Sequence, residues 1–212
     1  MSLESSRTSY GESDLDVTHV ARDPIAQLQA WVEEAYAHKD IVEANAMCVA
    51  TVSANGQPSS RMVLMRGLDA RGLTFYTSYD SRKGQELSQN PRVAATMYWA
   101  PLHRQVRIEG VATKLGEDES DRYFSSRPRG HQLGAWASEQ SEPVAKRNDL
   151  LERLEHFEQR FEGEDVPRPH SWGGYVIAPQ RFEFWQGRDN RLHDRIEYER
   201  EARGWTIRRL QP

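Results

Sequence analysis

An intrachain disulfide is excluded at once, because Cys48 is the only cysteine in 212 residues. A thiolate-based metal site is excluded for the same reason. The seven histidines, His19, His38, His103, His131, His156, His170 and His193, lack the close His/carboxylate spacing of a zinc site, so no metal is expected. No apolar run approaches the roughly twenty residues needed to cross a bilayer. The N-terminus carries no basic-then-apolar leader, and a cytoplasmic location with no membrane partner is expected. The chain also lacks an excess of positive charge. Its net charge of -4 argues against general nucleic-acid binding, which rests on a positive stripe that releases phosphate counterions. Internal repeats and low-complexity tracts are absent as well.

What is present is a polar globular composition, with 37% hydrophobic and 28% charged residues. Residues 1–22 are rich in Ser, Thr and Asp and read as a mobile N-terminal tail, followed by a single domain over residues 23–212. Asp23-Pro24 fits an N-cap and first helical position, opening an amphipathic helix to about Lys39. From Ala46 the period changes from helical to alternating. It predicts strands at 46–52, 59–66, 73–77, 93–99 and 105–114, with a short helix from Ser81 to about Asn90. Cys48 reads as core filling within Ala46 to Ala50. Helical segments follow between Glu117 and Phe161. Strands return at 174–177, 181–186, 193–201 and 205–210, giving a mainly β fold with flanking helices whose antiparallel sheet curls toward a barrel.

Arginines cluster although the chain as a whole is acidic. In Arg191-Leu192-His193-Asp194-Arg195 the cationic residues alternate, so an extended segment would set Arg191, His193 and Arg195 along one wall, beside Trp185 and Gln186. Arg61 and Arg66 bracket four apolar residues and would point to opposite faces of a regular strand. Ser81-Arg82-Lys83-Gly84 puts two cations at a helix N-terminus, a plausible phosphate cradle. Tyr123 and Arg127 are one helical turn apart, with His131 past a Pro-Arg-Gly break, and together offer a second set of anion donors. Each set can also be read as solvated surface charge. Gln105, Gln140, Ser141 and Gln186 are candidates for hydrogen bonds to the edge of a heterocycle.

Taken in order, many runs resemble the pyridoxamine (pyridoxine) 5′-phosphate oxidase family. They include Arg61 to Arg66, Phe75-Tyr76-Thr77, Ser81-Arg82-Lys83, Arg104-Gln105-Val106, Ser126-Arg127-Pro128-Arg129, Gln132 to Trp136, Trp172-Gly173-Gly174-Tyr175, Glu183 to Gly187 and Arg191 to Arg195. The resemblance implies an FMN-binding split β-barrel, a homodimer with flavin at the subunit interface. By that resemblance Arg61, Thr77, Arg82 and Lys83 hold the FMN phosphate and ribityl chain. Gln105, Gln140, Ser141, Trp185 and Arg195 contact the flavin or its chain, and Met62, Val63, Leu64, Met65, Arg66 and Tyr76 line its groove. Arg66, Tyr123, Arg127 and His131 stand where the family binds the substrate phosphate. Arg191, Leu192 and His193 face the substrate ring, with Arg191 and His193 as catalytic residues, while Arg7 and Tyr10 close over it. The family usually has Lys at 66 and often Ser at 131, so Arg66 and His131 change a point donor to a planar fork and add a titratable ring.

The implied activity is oxidation of pyridoxamine 5′-phosphate and pyridoxine 5′-phosphate to pyridoxal 5′-phosphate, with dioxygen as acceptor and hydrogen peroxide as product. A flavin reductase on the same barrel and a non-catalytic flavin or pyridoxal phosphate carrier are the competing readings, because a fold alone does not fix chemistry.

Overall fold

A computed structural model of the chain describes Tyr10 and residues 14–212. Its centre is one antiparallel sheet. The strands are β1 (Ala46–Val52), β2 (Pro58–Leu64), β3 (Gly67–Asp69), β4 (Gly72–Ser78), β5 (Arg92–Trp99), β6 (Arg104–Lys114), β7 (Trp172–Gln186), β8 (Asp194–Arg200) and β9 (Trp205–Leu210). They run in the order β2-β1-β5-β6-β7-β4-β3, with β8 also paired to β7 and β9 added outside β8. The sheet branches at β7. Its first half pairs with β4 from Trp172 to Ile177, and its second half pairs with β8 from Arg181 to Gln186.

The sequence pattern places two strands where the structure has one continuous β7, interrupted in pattern by Ala178-Pro179-Gln180. Pro179 is tolerated because the register shifts opposite it, between Glu109 and Gly110. Gly110 makes the close approach possible: a Cβ there would lie 2.4 Å from the Ala178 carbonyl oxygen.

Alternation in β1 sends Met47, Val49 and Thr51 inward. Cys48 therefore stands on the other face, half-buried, and is not core filling. The core is completed by Val106, Ile108, Phe182, Phe184, Ile196 and Tyr198 from the sheet and by Leu28, Trp31 and Ala35 from helix α1 (Pro24–Ala37). Asp23 caps α1 by accepting from the Ile25 amide at 3.0 Å. Burying each of these large apolar side chains contributes about 1.5–3 kcal/mol.

Helices α2 (Arg82–Gln89), α3 (Glu117–Ser125), α4 (Arg129–Ala137) and α5 (Arg147–Arg160) lie outside the sheet. A second apolar cluster joins the last three of them to it, through Phe124, Leu133, Phe161, Val166 and Trp172, while Leu87 of α2 enters the main core. Residues 14–22 are tied to the sheet near both ends: Leu15 is buried and its carbonyl accepts from Arg209, and the Ala21 carbonyl accepts from the Tyr198 hydroxyl at 2.7 Å. Among the described residues no helix is long and apolar enough to cross a membrane.

Candidate functional site

A cavity of about 910 Å³ opens along the edge strand β2 and reaches α2 on one side and the α3–α4 junction on the other. Consecutive residues Ser59 to Leu64 all line it, so it runs past the strand edge and meets side chains from both faces.

At one end stand Arg61, Arg82 and Lys83. Ser81 begins α2 as its N-cap, its hydroxyl accepting from the Gly84 amide at 3.3 Å. Gly84 is required here, since a Cβ would lie 2.1 Å from the Tyr79 carbonyl oxygen. One turn on, the Glu86 carboxylate is 4% exposed and collects the surrounding donors. It accepts from Thr51, from Ser59 at 2.7 Å and from Arg82 Nε at 2.9 Å, with Arg61 Nη2 at 3.4 Å. Arg61 also donates to the Thr51 and Ser59 hydroxyls, both at 2.5 Å, so those hydroxyls pass its charge on to Glu86. Burial by itself would raise the Glu86 pKa. The hydrogen bonds from Thr51, Ser59 and Arg82 and the charge of Arg61 outweigh it and hold the carboxyl at about 2.

Lys83 is 6% exposed, and among the described residues its ammonium bonds to uncharged oxygens alone: Thr77 Oγ1 at 3.1 Å, Gln140 Oε1 at 3.2 Å and Ser81 Oγ at 3.3 Å. Burial, then the neighbouring Arg61, pulls its pKa down to about 8. A buried ammonium without a bonded carboxylate is costly to keep, and an anion in the cavity offsets that cost.

The other end holds Arg66, Tyr123, Arg127 and His131. Arg61 and Arg66 thus share one cavity, against the expectation of opposite faces. The strand stops at Leu64, and the chain then transfers from β1 to β4, with the Met65 amide on the Asn45 carbonyl and the Arg66 amide on the Thr74 carbonyl. That switch re-aims Arg66 and turns Met65 into the core, so Met65 does not line the groove. Tyr123 stacks on Tyr76, with ring centres 3.7 Å apart, and both rings lie nearly parallel to Trp172. Burial above all, then the nearby Glu119 and Tyr123, pushes the Tyr76 hydroxyl up to about 12. The Arg127 guanidinium lies 4.6 Å from the Trp172 ring centre. One of its terminal nitrogens, Nη1, is buried without a hydrogen-bond partner, which costs about 1–3 kcal/mol. Burial and Arg66 both lower the Arg127 pKa.

Between the two ends, Met62, Val63, Leu64 and Tyr76 supply apolar and aromatic surface, and Thr77, Gln140 and Ser141 supply polar groups. Donors for two anions at the ends of a groove that also suits a flat ring system fit a phosphorylated flavin with a second phosphorylated ligand.

The remaining candidates form a separate group. Gln105 pairs with Trp185, and Trp185 with Arg195, across β6, β7 and β8. Their neighbours Val106, Phe184 and Ile196 enter the core, so these three share the opposite face of the sheet. Arg195 makes a two-point ion pair with Glu183, at 2.9 and 3.0 Å. That bond, above all, raises its pKa.

The single extended wall is not observed. Asp189–Arg191 is a short 3-10 turn, Asn190 and Arg191 both have left-handed φ, +56° and +64°, and β8 begins only at Asp194. His193 instead packs against Trp185, with ring centres 4.6 Å apart, and against Tyr10 at 5.4 Å. Its Nδ1 accepts from the Arg188 amide at 3.0 Å, which leaves Nε2 to carry the proton of the neutral ring. Burial, then Arg191, lowers the His193 pKa and favours that neutral ring. Leu192 is exposed beside it. Arg7 lies outside the described residues.

Glu86 and Trp172 were missed as site residues. The i,i+4 spacing of Arg82 and Glu86 was a usable signal for the first. For Trp172 the run Trp172-Gly173-Gly174-Tyr175 was a local signal of the family, but not of a contact with Arg127, which is far away in sequence.

Residues 33–160 match the family model described as pyridoxamine 5′-phosphate oxidase, and residues 172–212 match the pyridoxine 5′-phosphate oxidase C-terminal dimerisation region. A pyridoxine/pyridoxamine 5′-phosphate oxidase of Rubrobacter xylanophilus is 53% identical over 97% of this chain and 94% of its own. That of Ralstonia pickettii is 50% identical over 100% and 99%. Among solved structures, PhzG from Burkholderia lata 383, in complex with tetrahydrophenazine-1-carboxylic acid, superposes with a TM-score of 0.89. It is 31% identical and covers 97% of this chain and 100% of its own. An FMN-binding protein of Nostoc punctiforme, at 18% identity and a TM-score of 0.67 over 89% and 95%, shares the fold. With two family models in register on the strands and helices that build the cavity, the chain belongs to the pyridoxine/pyridoxamine 5′-phosphate oxidase family.

Proposed function

We propose that the protein is an FMN-dependent oxidase that converts pyridoxamine 5′-phosphate and pyridoxine 5′-phosphate to pyridoxal 5′-phosphate, using dioxygen and releasing hydrogen peroxide, the amine substrate also taking up water and releasing ammonia. The observation that carries this reading is the pair of cationic ends on one groove, each suited to a phosphate. Arg61, Arg82 and Lys83 would hold the FMN phosphate, with Thr77, Gln140 and Ser141 along its chain. Arg66, Tyr123, Arg127 and His131 would hold the substrate phosphate. When bound, the flavin supplies the acceptor for a hydride from substrate C4′ and returns the electrons to dioxygen.

The residues of this chain then have the work of orientation. Anchoring the substrate by its phosphate fixes the reacting carbon with little further loss of entropy. The aromatic and apolar wall from Met62 to Leu64 and Tyr76 excludes water from the ring faces. His193, neutral and protonated at Nε2, is a hydrogen-bond donor to the substrate rather than a strong base. Arg191 would stabilise negative charge developing on the substrate ring substituents.

Because Gln105, Trp185, Arg191, His193 and Arg195 stand outside the cavity of their own chain, the active species is a homodimer in which each cavity is completed by the partner subunit's Trp185 and Arg195. Exposed Met62 and Tyr98 lie on the same sheet face and support burial against a second copy.

The test is the absorbance spectrum of the purified, FMN-saturated protein before and after anaerobic addition of pyridoxamine 5′-phosphate. Bleaching, followed on admission of air by recovery, peroxide and pyridoxal 5′-phosphate, is the expected result. No bleaching refutes an oxidase of this substrate. Bleaching only by a reduced phenazine carboxylate would assign the chemistry suggested by the ligand of the Burkholderia lata structure.

A further inference from the structure

Arg127 differs from Arg61 and Arg82, at the other end of the cavity, in what holds it. Among the described residues no carboxylate lies within ion-pair distance of it, and its Nη1 has no acceptor. It also stands just past the end of α3, where no helical geometry fixes its direction. Its guanidinium lies near aromatic rings: the Trp172 ring centre at 4.6 Å and Phe124 further off at 5.6 Å.

We propose that Trp172 is a positioning residue for the substrate phosphate, aiming Arg127 by bearing its guanidinium against the indole without consuming an N–H donor. This rests on the phosphate role given to Arg127 above. A carboxylate in the place of the indole would hold Arg127 as firmly but would consume the donors that the ligand needs. A ring attracts the cation through its face and takes none of them.

Trp172 is itself held from several sides. Its amide donates to the Pro169 carbonyl at 3.0 Å, and its carbonyl accepts from Arg168 at 2.7 Å. Its ring stacks on Tyr76, 5.6 Å away, which stacks in turn on Tyr123. The indole is thus fixed where it meets the guanidinium.

The experiment uses the FMN-saturated protein and the variants Trp172→Leu, Trp172→Phe, Arg127→Ala and the two doubles of the Trp172 variants with Arg127→Ala. Steady-state kinetics give KM and kcat for pyridoxamine 5′-phosphate, inorganic phosphate serves as a competing ligand, and flavin fluorescence gives FMN affinity. Trp172→Leu is expected to raise KM and the phosphate inhibition constant about tenfold, while kcat falls less than about threefold and FMN affinity is kept. Trp172→Phe, which retains a weaker ring, is expected to raise both about threefold. Neither change should add more than about twofold in the Arg127→Ala background, since the contact they remove is already gone.

An unchanged KM, an equal rise with and without Arg127, or a loss confined to kcat overturns the proposal. Should Trp172→Leu fail to hold FMN, Trp172→Phe with its double decides by the same comparison. If the unmodified protein does not oxidise pyridoxamine 5′-phosphate, the functional reading fails separately. Weakened binding of inorganic phosphate by Trp172→Phe, followed by phosphorus NMR and abolished as an effect in Arg127→Ala, then still supports the positioning role, and unchanged binding overturns it.

Discussion

The two ends of the cavity hold their arginines by opposite means. At the α2 end, Arg61 and Arg82 converge on the buried Glu86, directly or through Thr51 and Ser59, and the cradle is rigid with its charge partly cancelled. At the α3–α4 end, Arg127 rests on an indole, and neither it nor Arg66 has a carboxylate partner among the described residues. A carboxylate anchor suits a ligand that stays, because the donors are fixed before it arrives and the arginines remain paired. An aromatic anchor suits a ligand that comes and goes, because the whole donor set is handed to the anion and recovered when it leaves. On the function proposed above, one groove would then contain a resident end and an exchanging end.

The sharpest way to break this comparison is Glu86→Ala. It leaves the half-buried Arg61 and the exposed Arg82 without their counter-charge and should destabilise the protein by about 3 kcal/mol, read as a loss in denaturant midpoint at unchanged slope. Glu86→Gln, which keeps the acceptor, should lose less than half of that. Arg61→Ala comes next. Removing charge-assisted bonds at the resident end should weaken FMN binding by about a hundredfold while leaving phosphate competition at the other end within about twofold. Equal losses at both ends would show that the ends are one site.

Acidity sharpens the comparison further. Lys83 titrates at about 8 instead of its usual 10.5, so FMN affinity should fall as pH rises through 8, in apo-protein titrations followed by fluorescence. The sign for stability is the reverse. Between pH 8 and 10.5 the unfolded chain binds more protons than the folded one, so the ligand-free protein should become more stable across that window, and a flat or falling melting temperature there counts against a buried, depressed Lys83. Glu86 acts in the acid range: its contribution is complete above its usual 4.5 and is lost as pH drops through about 2.

Much of this was legible in the sequence. Period-two alternation located β1, β5 and β6 to within a residue or two, and Ser81 announced the start of α2. What could not be read was set by long-range geometry. The transfer of the chain from β1 to β4 at Met65 and Arg66 overrides the alternation that put Arg61 and Arg66 on opposite faces. The bulge against Gly110 lets Pro179 sit inside a strand. The division of the site into a cavity group and a group on the far sheet face depends on how β6, β7 and β8 stack, information that no local run of residues contains. Trp172 likewise becomes a bracket for Arg127 only through contacts 45 residues apart in the chain.

The turn before β8 carries one more implication. Asn190 and Arg191 wind through left-handed backbone in succession, a conformation that a branched guanidinium chain pays for with about 1 kcal/mol and that glycine adopts freely. Arg191→Gly should therefore relax the turn and melt no lower than the parent, yet lose turnover with the departed side chain. At this position thermal robustness and chemistry pull the residue in different directions, and a screen for heat resistance alone would select against the enzyme.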